Sequence, residues 1–164
     1  MLSSDVSGAE AVTRMNPEEQ LAGFLAKFTP EVAALAEAAL AKMRARFPSA
    51  IQMVYDNYNF LVIGFGPTER PSEAIFSIAL HARGVSLCFL QAGPQLPDPD
   101  KMLKGSGNKV RHIRLERASV LDRQAVKALM SHALKRAAVP FDPTASDRLI
   151  IKSVSAKQRP RRPK

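Results

Sequence analysis

The sequence predicts an α+β domain: an antiparallel β-sheet of about five strands flanked by two N-terminal helices and one C-terminal helix. Three observations predict it. Apolar residues recur at helical spacing between Asn16 and Pro48. From Gln52 to Leu90 the pattern changes to short β-rich runs separated by turn residues. Helical spacing then returns from Asp122 to Ala137.

Residues 1–15 are small and polar and read as a disordered leader. Asn16-Pro17-Glu18-Glu19 is a helix start, with an N-cap, a proline at the first position and acids facing the macrodipole. Leu21, Phe24, Leu25 and Phe28 follow at helical spacing. Thr29-Pro30-Glu31 repeats the signal, and a stripe through Val32, Leu35, Ala36, Ala39, Leu40 and Met43 runs on until Pro48 stops it.

Gln52–Tyr55, Phe60–Phe65, Ala74–Ala82 and Val85–Leu90 are strand-like runs. Their links are too short to hold crossover helices, so neighbours are expected to be antiparallel, with a tight hairpin at Arg83-Gly84. A long excursion leads to a strand from Lys109 to Glu116. The helix from Asp122 to Ala137 turns Val126, Leu129, Met130, Ala133 and Leu134 inwards, and Leu149-Ile150-Ile151 is a candidate last short strand. One domain over residues 16–152 results, followed by a basic tail, 153–164, expected to be disordered.

Composition places the chain among ordinary globular proteins, at 46% hydrophobic and 24% charged residues. No apolar run approaches the roughly 18 residues that a membrane span needs, and Met1-Leu2-Ser3-Ser4-Asp5 is unlike a signal peptide. A single cysteine, Cys88, admits no internal disulfide, which makes a cytoplasmic location the expectation. Cys88 lies in an apolar run and reads as a buried, inert thiol.

The net charge of +9 is uneven. Residues 1–40 hold two basic and six acidic side chains, and residues 41–164 hold the remaining 22 and nine. Such a field attracts anions, whether nucleic acid, phosphorylated metabolites or acidic proteins, without choosing among them.

The segment Leu96–Leu115 combines backbone geometry with charge. Asp98-Pro99 reads as an N-cap and first-turn proline, Asp100 adds charge to that turn, and Lys104-Gly105 reads as its C-terminal cation and left-handed stop. Gly105-Ser106-Gly107-Asn108 can reach positive φ, which would let N–H groups converge on an anion between Lys104 and Lys109. Strand alternation puts Arg111 on the face of Ile113 and Leu115, with His112, Arg114 and Glu116 opposite. An arginine on an apolar face needs an acid, carbonyls or a bound anion. The candidate anion site is therefore Lys104, Gly105, Ser106, Gly107, Asn108, Lys109 and Arg111. A glycine turn with solvated lysines, and Arg111 paired with Asp98 or Asp100, is the structural alternative.

Leu96-Pro97-Asp98-Pro99, Leu103-Lys104-Gly105-Ser106-Gly107 and Arg111-His112-Ile113 resemble the YdhG-like family, domain of unknown function 1801. The resemblance extends over residues 20–137, upstream through Tyr55 and the Ile78–Leu90 hairpin and downstream to the helix at Asp122. One departure is Asn108, where the family's pattern has lysine; Lys109 follows one place later. The resemblance implies an α+β domain with no established reaction, and some relatives are described as frataxin-like iron chaperones. An iron role would call on His81, Asp98, Asp100 and His112, although no HxH, HExxH or CxxC spacing supports a metal site.

Catalytic signals are weak. Ser77, Ser86 and Ser106 lack a nucleophile elbow, and His132 reads as a half-exposed helix residue. Tyr55-Asp56 with Tyr58 could line a pocket, though tyrosine at a strand end is commonly core with a wet hydroxyl. With no tryptophan and 6% aromatic residues, base stacking is disfavoured, but the tail Lys157-Gln158-Arg159-Pro160-Arg161-Arg162-Pro163-Lys164 suits weak, salt-sensitive nucleic-acid association. The expectation is a non-enzymatic domain that binds a small anionic ligand and needs no cofactor, with the iron chaperone and the nucleic-acid binder as alternatives.

Overall fold

In a computed structural model that describes residues 15–164, three helices pack on one face of a six-stranded sheet. The expected leader, 1–15, lies outside the described residues apart from Met15. Helix α1, Pro17–Leu25, is capped as expected: the Asn16 side chain accepts from the Glu19 N–H at 2.8 Å and donates to the Glu19 carboxylate at 2.8 Å. Helix α2, Pro30–Arg46, starts where the Thr29 hydroxyl accepts from the Val32 N–H. Caps of this kind stabilise by about 1 kcal/mol each.

The strands are β1 Ile51–Asp56, β2 Leu61–Gly66, β3 Phe76–His81, β4 Gly84–Phe89, β5 Arg111–Leu115 and β6 Arg148–Val154. The sheet order is β5-β4-β3-β2-β1-β6. Strands β1 to β5 form an antiparallel meander, as their short links require. The sheet has six strands rather than about five. The short run at Leu149–Ile151 is the centre of β6, which lies parallel to β1. Parallel pairing needs a crossover, supplied by helix α3, Gln124–Arg136. Asp122 belongs to a 3-10 turn, Ala118–Asp122, before α3, where it is paired with Lys42 and Arg46.

The core lies between the helices and the sheet face formed by Val54, Leu61, Ile63, Phe65, Phe76, Ile78, Leu80, Val85, Leu87, Phe89, Ile113 and Leu115. Phe76 stacks on Phe47 at 5.1 Å and meets Phe89 edge-on at 5.7 Å. Among the described residues, no α-helix packs on the opposite sheet face. One end of it forms a small cluster of Ile51, Met53 and Ala74 with Tyr55, Leu90 and Ile150.

The end of the chain folds back onto the domain. Residues 155–162 run back over the β1–β2 turn and the end of α1. The Ser155 N–H donates to Asp56 O and the Arg159 N–H to Tyr58 O, both at 2.8 Å. Arg161 is buried, with its guanidinium on the Asp56 carboxylate at 2.8 Å, on Asn57 O at 2.6 Å and over the Phe28 ring. Arg162 donates to the carbonyls of Ala26 and Lys27 at the C-terminal end of α1, where a cation complements the helix dipole. A tail that looks solvated by composition packs against the domain here, with its arginine on a buried acid.

Candidate functional site

The glycine loop is built differently from the expected nest. Asp98 does not start a helix: its two carboxylate oxygens accept from Met102 N–H and Leu103 N–H, each at 2.9 Å, and close a turn. Lys101 adopts a left-handed φ of 52° within that turn. Lys104 pairs with His112 through two backbone bonds of 2.8 and 2.9 Å, extending the sheet edge by one residue. Of the loop glycines, Gly105 takes a positive φ of 119°, whereas Gly107 does not. Gly105, Ser106, Gly107, Asn108 and Lys109 are all exposed.

Arg111 does lie on the side of Ile113 and Leu115, and it takes the carbonyl option. Its Nη1 donates to Gly107 O at 2.7 Å and to Val110 O at 2.9 Å, so the guanidinium braces its own loop. Neither Asp98 nor Asp100 pairs with it. On the other side, Gly93 packs against the strand entrance and donates its N–H to Lys109 O at 2.8 Å.

The residues of the metal alternative are brought to two places. Asp98 and Asp100 line a hollow against α3 with His132, while His81 and His112 line the helix-free sheet face. Among the described residues, no group of three or more His, Cys, Asp or Glu side chains could hold a metal ion.

Two adjoining cavities stand out instead. The first is a cleft of about 660 Å³ between the β3–β4 turn and the returning chain end. Its charged lining side chains are Arg83, Arg159, Arg162 and Lys164, and among the described residues no Asp or Glu lines it. Arg162 is engaged with α1 carbonyls. The Arg159 guanidinium lies over the Tyr58 ring at 5.7 Å. Among the described residues neither Arg83 nor Arg159 has a carboxylate partner.

His81 forms the inner end of the cleft. Its Nδ1 accepts from the Arg83 N–H at 3.2 Å, so the neutral ring carries its proton on Nε2. Burial, followed by the charges of Arg114 and Arg83, lowers its pKa below the usual histidine value. The ring meets Phe60 edge-on at 6.2 Å.

The second cavity is a trough of about 460 Å³ in the helix-free sheet face, lined by residues of β2 to β5 and the segments beside them. Register explains its floor. Ser77, Cys88 and His112 are successive cross-strand neighbours, and so are Val62, Ala79 and Ser86. Cys88 is half-buried, and burial pushes its thiol pKa up against the opposing hydrogen bond with Ser77. It is therefore a thiol at neutral pH rather than a nucleophilic thiolate.

Sequence reasoning singled out His81 and His112 for a different role and missed the cleft altogether. Strand alternation in Phe76–His81 and Gly84–Phe89 could have flagged the small residues of the trough. Nothing local pairs Arg159 with Arg83.

No family model matches the chain, and no curated protein or solved structure is significantly similar to it. No helix among the described residues is long and apolar enough to cross a membrane.

Proposed function

We propose that this domain is a non-catalytic binding module for a small anionic ligand, held in the cleft between Arg83 and Arg159. The observation that carries the reading is the pair of guanidinium groups beside one cavity in which, among the described residues, no Asp or Glu takes part. Unpaired arginines offer forked donors suited to carboxylate or phosphate oxygens. The exposed loop Gly105–Lys109 supports the reading less, because the Arg111 guanidinium is already bonded to carbonyls.

Titration calorimetry with inorganic phosphate tests it. Arg83→Ala and Arg159→Ala should each weaken binding about tenfold, the equivalent of about 1.4 kcal/mol. Arg111→Ala should leave it within twofold. A loss confined to Arg111→Ala would return the site to the glycine loop, and equal small losses from every arginine would reduce the effect to diffuse electrostatics.

A further inference from the structure

Phe60 and His81 line both cavities, so the basic cleft and the sheet trough adjoin at this ring pair. The two cavities have opposite chemistry. The cleft presents guanidinium groups, whereas the trough is formed by Phe60, Val62, Ala79 and Leu90 with two serines, the Cys88 thiol and two imidazoles, and by no Lys, Arg, Asp or Glu.

A sheet face without helices ordinarily faces water and carries charged or polar residues. This one carries small and apolar residues along its floor. Ser77 is 2% exposed, and His81 Nδ1 holds the Arg83 N–H. Phe60 stands at the junction with 43% of its surface exposed, an apolar side chain with room for a partner. The trough volume falls within the range of about 300–1,000 Å³ typical of small-molecule sites.

Resting on the cleft as the anion site, we propose that the ligand is an organic anion with an apolar body. That body, a ring or short aliphatic chain, lies in the trough against Val62, Ala79 and Phe60. Its acid group reaches past His81 to Arg83 and Arg159. The charge separation fixes the ligand's direction: a carboxylate or phosphate cannot enter the trough without losing solvation that the trough has no cation to replace. Apolar burial and ion pairing then act on different parts of one molecule.

Two probes separate the cavities: inorganic phosphate, which can fill only the cleft, and phenyl phosphate, which can fill both. Phenyl phosphate should bind the wild-type protein at least about tenfold more tightly, a difference that partial burial of one ring readily supplies. Intermolecular NOEs should connect its ring protons to the methyl groups of Val62 and Ala79. Ala79→Leu, which fills the floor, should bring phenyl phosphate down to the affinity of inorganic phosphate. Arg83→Ala should weaken both.

Equal wild-type affinity for the two probes, or ring NOEs absent from Val62 and Ala79, would overturn the trough assignment and leave the anion cleft standing. Failure of both probes to bind would overturn both. The wild-type NOE measurement decides the matter even if Ala79→Leu perturbs folding.

Discussion

Asp56 and Arg161, 105 positions apart in the chain, form an ion pair of 2.8 Å in which each side chain is almost wholly removed from water. Lys27 approaches the other carboxylate oxygen of Asp56 at 3.8 Å from the half-exposed side. The pair joins the end of β1 to the chain end and so holds Arg159 and Arg162 at the cleft. One buried contact therefore links folding to the proposed site.

Removing one partner of a buried pair leaves an uncompensated charge and typically costs about 3–5 kcal/mol. Arg161→Ala should lower the denaturant midpoint accordingly and release residues 155–162 to fast amide exchange. The double variant Asp56→Asn with Arg161→Met should recover part of the loss, since neither side then buries an unpaired charge. An unchanged midpoint for Arg161→Ala would mean that the docked chain end contributes nothing to stability.

Gly93 sits where two stretches of backbone come together. A Cβ added there would lie 2.6 Å from Lys109 O and 2.9 Å from the Arg111 amide nitrogen, neither of which is the yielding end of a side chain. Gly93→Ala should destabilise by about 1–3 kcal/mol, the usual range for forcing extra volume into a packed site. Amide exchange should quicken in the β5 entrance. Gly107→Ala, with nothing within 4 Å of the added carbon, is the matched control and should be near neutral. Equal effects at the two positions would refute the close approach.

His81 gives the cleft a pH dependence. Its pKa is lowered by burial and by Arg114 and Arg83, so the unfolded chain takes up the proton first as pH falls. The stability contribution is fully present above the unfolded value of about 6.5 and is lost as pH drops through the lower, folded value. An anion in the cleft opposes that shift by favouring the imidazolium. Sulfate keeps its charge across this range, and its affinity should rise as pH falls towards the lowered folded value. His81→Gln should flatten the profile, whereas a slope surviving in that variant would assign it to another group.

The three helices, the β1–β5 meander and their facing core were legible in the sequence because each rests on local information. Asn16-Pro17 and Thr29-Pro30 start helices through bonds that span three residues. Alternation in β5 places Ile113 and Leu115 inside whatever the rest of the chain does. The same alternation put Arg111 on their side, and a carbonyl partner was one of the three outcomes it allowed.

What the sequence could not determine depends on contacts between distant segments. The parallel place of β6 beside β1 follows from the path through α3. The fate of Arg161 turns on an acid 105 residues away, and composition alone makes an arginine-rich chain end look solvated. The cleft exists because that end returns beside the β3–β4 turn, bringing Arg159 near Arg83. Hydrophobic period and capping act over a few residues and are written in order along the chain. Burial of a charge, and the meeting of two arginines at one cavity, are properties of the folded surface and take effect only once tertiary packing has removed the water between them.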